Sequence, residues 1–302
     1  MTNRDELVNF LNDYFSVEKY GPDTSMSRFI PLVYEGFNWH DYFTDFFATY
    51  FNGLMISGAE EVGCIFGSVF PTEEVLDIFI REANRGDLLF LHHPVDMECG
   101  DPRGSFGRFF LPIKKEQLEK MKEKGLSIYS LHHPLDCHNE ISTGLAIAKS
   151  INLQNIKSFI ELSGGFVGLT GEVDEISGDA LEEKLKTIFD LKYLDLGGVN
   201  KKSIKKVAIV AGSGDKVDFF KQAEDIGIDA YIAGEIHSHI DNEKGRAKMQ
   251  EALDYMAGSN MSFFGVSHAA SEFLVVKEMV LPFIAKKFNL EVKDIPLSNW
   301  WH

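Results

Sequence analysis

Cysteine is scarce in this 302-residue chain, and basic residues are outnumbered. The three cysteines, Cys64, Cys99 and Cys137, form no CxxC pair. Neither a disulfide framework nor a thiolate cage is therefore expected to hold the fold, and the odd count suits a reducing compartment. Against 46 Asp and Glu stand 30 Lys and Arg, a formal net charge of −16. That excess repels phosphate backbones and anionic lipid, so neither nucleic acid nor a membrane surface is expected as a partner. No apolar run reaches the length of a spanning helix, and the opening MTNRDELVNF is charged within its first five residues. No export or anchoring signal is expected, and the location reads as cytoplasmic. What is present is an ordinary globular composition, 44% hydrophobic and 25% charged. A chain of this length can bury roughly three quarters of its unfolded surface, and at usual domain sizes it makes about two domains.

Hydrophobic periodicity orders the chain. Helical patterns at 5–15 and 41–51 make an aromatic-rich preamble. A β-type run at 62–70, a helix at 72–83 and a strand at 87–91 then form a βαβ unit, followed by a helix at 114–124, a strand at 126–131 and a helix at 139–150. Residues 161–178 are Gly-rich and read as irregular or short strands. The third quarter repeats the first: 207–211, a helix at 217–226 and DAYIAGEIHSH answer 62–70, helix and DLLFLHH, while NMSFFGVSHAASE answers GLSIYSLHHPLD. The expected fold class is α/β, two similar lobes related by internal pseudo-symmetry, with mixed sheets flanked by helices. The expected boundaries are 1–160 for the first lobe with its preamble, 161–206 for a connecting segment and 207–302 for the second lobe.

Of the 10 histidines, eight fall in four windows: His92 and His93; His132, His133 and His138; His237 and His239; and His268. Asp96, Asp136 and Glu272 accompany three of them, giving the mixed nitrogen and oxygen donors that hold zinc, iron or manganese. Taken singly, each window has an ordinary explanation. An HH pair can simply end a strand, HAASE can make an i, i+4 surface hydrogen bond, and Asp136 can cap a helix. Four such windows together favour a metal site. Alternation along a strand keeps His92 and His93 from facing one ion unless the chain bends there, and two ions would resolve this. Ser267 can cap a helix whose first turn holds His268, where the dipole favours neutral imidazole. His138, Cys99 and Cys137 read as packing or loop residues. His237 and His239 are outer groups of the site or loop residues, and AGSGD at 211–215 is a plain βα turn.

DLLFLHHP, YSLHHPLDCHNE, GSGD with DAYIAGEIHSH, and GVSHAASE, in that order, resemble the GTP cyclohydrolase 1 type 2 homologue family, the NGG-interacting-factor-like dinuclear metal proteins. The likeness runs from about Gly53 to Leu290. Two features depart from it: two consecutive histidines in LHHPLD, and the absence of an arginine from FVGLTGE. The resemblance implies two divalent metal ions per chain (zinc, iron or manganese) on His92, His93, Asp136, His268 and Glu272, with Glu272 touching both and His132 a nearby non-ligand. It implies two-lobed chains assembled into toroidal hexamers around an inner cavity, with a short or absent insert. The activity implied is metal-dependent hydrolysis of a nucleotide or phosphate-containing small molecule. The donors themselves point to the same hydrolysis, with Glu272 and His132 as catalytic groups, since an imidazole that titrates near neutrality can shuttle protons. The alternatives are a metal-binding scaffold or regulatory protein without turnover, and a mononuclear hydrolase using His268 and Asp136.

Overall fold

The computed structural model describes residues 1–302, which divide into two compact units, each assembled from three stretches of chain. The first comprises Met1–Met97, Phe110–Ile141 and Val276–Ser298; the second comprises Glu98–Phe109, Ser142–Val275 and Asn299–His302. These limits differ from the expected ones at 160 and 206. Strand pairing assigns a segment to a unit, and pairing does not follow chain order: Glu291–Asp294 returns to the first sheet, while Gln154–Leu162 joins the second.

The first unit is built on five strands in the order Glu291–Asp294, Cys64–Ser68, Leu88–Leu91, Ser127–Ser130, Gly53–Ile56. The first four run parallel, and Gly53–Ile56 is antiparallel to its neighbour. LLFL at Leu88–Leu91 is buried throughout, as a strand covered on both faces requires. The crossover helix Glu73–Glu82 starts where the Thr72 hydroxyl accepts from Val75 N at 3.2 Å, and it buries Val75, Leu76 and Phe79. Helix Lys115–Lys124 stops at Gly125, whose φ of 68° is left-handed. In the preamble, helices Arg4–Tyr14 and Asp45–Tyr50 match the expected pattern, and a further helix, Met26–Val33, contains Pro31 and was not expected.

The second unit carries six strands in the order Asp195–Gly198, Ser262–Gly265, Ala230–Glu235, Ile204–Ser213, Gly165–Ile176, Gln154–Leu162. The three strands Ser262–Gly265, Ala230–Glu235 and Ile204–Ser213 are parallel and the outer pairings antiparallel. The Gly-rich stretch is therefore no irregular connection. It forms one arm of a long hairpin because its alternating residues pair with Ile204–Ser213 on one side and Gln154–Leu162 on the other.

The internal repeat holds to the level of single hydrogen bonds. Leu88 pairs with Ser127 as Ala230 pairs with Ser262. Beyond the strands, Leu131 N donates to Leu91 O at 2.9 Å and Val266 N to Ala233 O at 2.9 Å. At the opposite end Asp87 Oδ1 accepts from Cys64 N at 2.9 Å, and Asp229 Oδ2 accepts from the equivalent Lys206 N at 3.0 Å. By this register His93 corresponds to Glu235 and His133 to His268. The same two places at the carboxyl ends of the strands carry polar groups in both units, as expected for open α/β sheets.

Asp87 is 2% exposed and also accepts from Asn84 N at 2.8 Å. Asp87→Ala should leave both amides unsatisfied and lower stability by about 2–4 kcal/mol, read as a shift of the urea midpoint. An unchanged midpoint would remove this carboxylate from the account of the repeat. No helix is long and apolar enough to cross a membrane.

Candidate metal centre

In the first unit the strand Leu88–Leu91 ends just before His92, and the chain bends there. The bend breaks the alternation that would have pointed the two imidazoles apart. The His92 and His93 rings lie 4.8 Å apart by centroid, and His132 packs 5.1 Å and 4.7 Å from them. Donor atoms of His92, His93 and His132 lie within 4.8 Å of one another, a group that could hold a metal ion.

His92 is fully buried, and its Nδ1 donates to the Leu131 carbonyl at 2.8 Å. A carbonyl only accepts, so a neutral ring carries its proton on Nδ1 and presents a lone pair at Nε2, 3.5 Å from Asp136 Oδ1. Asp136 closes the short helix His133–Asp136. Of the two histidines in LHHPLD, His132 joins the group, whereas His133 lies against Tyr20 at 5.3 Å with Cys137 Sγ 3.6 Å from its Nε2.

In the second unit, Ser267 has a left-handed φ of 67°, and its hydroxyl accepts from Ala270 N at 3.3 Å, so it caps helix His268–Val275 as expected. Glu272 lies one turn after His268, with Oε1 3.2 Å from His268 Nε2. His268 Nδ1 donates to Glu235 Oε2 at 2.9 Å, and Cys99 Sγ lies 3.6 Å away. The Ser213 hydroxyl donates to the same Glu235 oxygen at 3.0 Å. Gly212, at φ 62°, runs so close that a Cβ there would lie 2.1 Å from Glu272 Oε1. Its amide donates to Ser271 Oγ at 2.9 Å, and that hydroxyl donates to His268 O at 2.8 Å.

In the metal-free protein the helix dipole, which favours neutral His268, is opposed by the acids around the ring. Burial does disfavour its charge, but Glu272, Cys99 and Glu235 outweigh burial and hold its pKa well above the ordinary value. Cys99, read from sequence as packing, has its thiol pushed up to about 12, first by burial and then by Glu235. It stays protonated beside His268.

The two units thus share one motif. In each, a buried imidazole is anchored through Nδ1 by an oxygen acceptor, and its Nε2 faces a carboxylate across 3.2–3.5 Å. An outer oxygen on Nδ1 is how metal-ligating histidines are oriented, and a lone pair facing a carboxylate calls for a cation between them. At His268, whose pKa is raised, a proton takes that place in the metal-free protein. The donor set therefore fits a divalent metal.

His237 and His239 form a separate chain: His239 Nε2 is 3.1 Å from His237 Nδ1, and His237 Nε2 is 3.1 Å from Asp195 Oδ2. Burial lowers the His239 pKa. In AGSGD, the buried Asp215 accepts from Ser238 Oγ at 2.8 Å and pairs with Lys248, bracing the turn that sequence suggested.

Sequence reasoning passed over Glu235 and Asp23, and it read Cys99 as packing and Gly212 as part of a plain turn. Glu235 had a signal, since it ends a strand in the window that supplies His237. Asp23 had none, because GPDTS lies outside every histidine window.

A family profile described as Duf34/NIF3 (NGG1p interacting factor 3) matches residues 45–299. A curated relative from Pyrococcus horikoshii, named GTP cyclohydrolase 1 type 2 homolog, is 26% identical over 98% of both chains. Among solved structures, protein ybgI, titled as of unknown function, superposes with a TM-score of 0.67 at 20% identity, covering 99% of this chain and 100% of its own. Reduced HcgD from Methanocaldococcus jannaschii gives 0.63 at 18% identity, covering 98% of each.

Proposed function

The chain belongs to the Duf34/NIF3 family, and on that premise we propose that it is a dinuclear metal-binding protein, a metal-dependent hydrolase of a nucleotide or another phosphate-containing small molecule. The observation that carries this reading is the repeated motif of an Nδ1-anchored imidazole whose Nε2 faces a carboxylate. His92, His93, Asp136, His268 and Glu272 are the residues that would hold two divalent ions, zinc, iron or manganese. Bound ions would supply Lewis-acid stabilisation of developing oxyanion charge.

The chain's own residues do the rest. The Leu131 carbonyl and Glu235 hold His92 and His268 in their tautomers. His132 takes a proton from the attacking water and returns it to the leaving group, a role within reach of an imidazole near neutral pH. Assembly into a homo-oligomer, a hexamer, belongs to the same proposal and is read by multi-angle light scattering.

The test is metal analysis of the purified protein, followed by turnover of GTP, other nucleotides and phosphomonoesters with zinc, iron or manganese added. Two ions per chain with metal-dependent turnover is the expected result. Ions without turnover on any substrate would leave the scaffold reading, and one tight ion would favour the mononuclear one.

A further inference from the structure

His132 is held from two sides by groups far away in the chain. Its backbone N donates to Asn52 Oδ1 at 2.7 Å. Its ring Nδ1 lies 2.7 Å from Asp23 Oδ2, and Asp23 is 4% exposed. The same Asp23 oxygen is 3.4 Å from His133 N, while Oδ1 accepts from Ser25 N at 2.9 Å and Met26 N at 2.8 Å. Burial by itself would raise the Asp23 pKa, but His132 and these amides outweigh it and keep the carboxyl below the ordinary carboxylate range. Asp23 is thus an anionic acceptor on all sides. It also lies outside the residues 45–299 matched by the family profile.

We infer that Asp23 is the positioning residue of an Asp–His dyad: it fixes His132 as the Nδ1–H tautomer and so places the lone pair on Nε2, the atom that accepts the proton. The inference rests on the proton-shuttle role proposed for His132. A carboxylate can only accept, so a neutral ring bonded to it through Nδ1 has its proton there. When Nε2 takes a second proton from an attacking water, the imidazolium is compensated by the adjacent Asp23 carboxylate, and the proton leaves again from Nε2 to the departing group. Charge and atoms balance without a further reactant. The same arrangement operates in serine-protease triads, where an Asp→Asn change leaves the geometry intact but enforces the wrong tautomer and costs about 10⁴-fold.

Asp23 also caps the start of helix Met26–Val33, and a purely structural role would be limited to that. Asp23→Asn separates the two roles. The asparagine Oδ1 can still accept from Ser25 N and Met26 N, since Asn caps about as well as Asp. Its NH₂ then faces His132 Nδ1, which must become an acceptor and pass the ring proton to Nε2.

The experiment is solid-state nitrogen NMR of the full-length, metal-free protein labelled at histidine, with His132→Gln assigning the signal. At a pH alkaline enough for the ring to be neutral, the wild type should show His132 protonated at Nδ1 and unprotonated at Nε2, and Asp23→Asn should show the reverse. If the asparagine variant does not fold, Asp23→Ser keeps a capping hydroxyl and should dissolve the single Nδ1–H species into a mixture. A neutral wild-type ring with its single proton on Nε2, or a variant with an unaltered tautomer, would overturn the assignment. Because the measurement is made without metal, its failure is distinct from failure of the metal reading, which the metal content of the wild-type protein decides.

Discussion

Replacing Glu272 by glutamine is expected to weaken metal binding by at least about 100-fold, above the range that changes to outer-shell groups usually produce. The side chain is 4% exposed and ends 3.2 Å from His268 Nε2. Glutamine keeps its shape and can keep one hydrogen bond, so packing is retained while the negative charge is lost. That charge has two tasks. It attracts the cation, and in metal-free protein it is the chief influence that outweighs burial and keeps His268 protonated.

The second task sets the sign of a pH effect. A histidine whose folded pKa is raised above its unfolded value contributes stability that is fully present below the unfolded value, near 6.5. That contribution is lost as pH rises through the folded pKa, so metal-free wild-type protein should become less stable toward alkaline pH, and Glu272→Gln should show a shallower slope. Metal must displace the same proton, so wild-type affinity should climb by up to about tenfold per pH unit below the His268 pKa. Chelator competition titrations and thermal melts in EDTA measure both. A variant that binds zinc as tightly as wild type would remove Glu272 from the ligand set.

Gly212→Ala should produce nearly as large a loss without touching a donor atom. The new Cβ would lie 2.1 Å from Glu272 Oε1 and 3.1 Å from His268 Nε2. No rotation relieves this, because the backbone is held by the bond from Gly212 N to Ser271 Oγ. The carboxylate must move, and the left-handed φ of 62° adds roughly 1–2 kcal/mol of backbone strain. The expected result is a drop of at least about 10-fold in metal affinity, as when the support of a ligand is disturbed, with secondary structure retained by circular dichroism. Gly164→Ala is the control. It has a similar φ of 79° in the hairpin turn, and nothing lies within 4 Å of its added Cβ. It should show the backbone cost and unaltered metal binding. Equal behaviour of the two variants would mean that strain, not crowding of Glu272, governs position 212.

Much of the fold was legible because it is written locally. The helix at 217–226 differs from Val217–Asp225 by one residue, and Thr72 caps Glu73–Glu82 at the end where the pattern starts. The repeat was visible because equivalent strands keep the same apolar run and the same acid before it, Asp87 and Asp229. The long hairpin was missed because glycine weakens strand propensity, and pairing on both sides compensates for it. At the candidate site, the histidine windows were legible as residue types. Their partners were not, since nothing near position 23 or 235 in the sequence says which ring each acid will meet.

The amino-acid sequence by itself determined the order of helices and strands, the acidic character that disfavours polyanions, and the supply of imidazoles and carboxylates at strand ends, because periodicity and composition act over a few residues. Only the tertiary structure decided which stretches share a sheet, that His133 turns aside while His132 joins His92 and His93, and that Asp23 meets a ring 109 residues away. Such pairings are selected by strand register and by the cost of burying an unpaired charge, and both depend on segments that become neighbours only when the chain has folded.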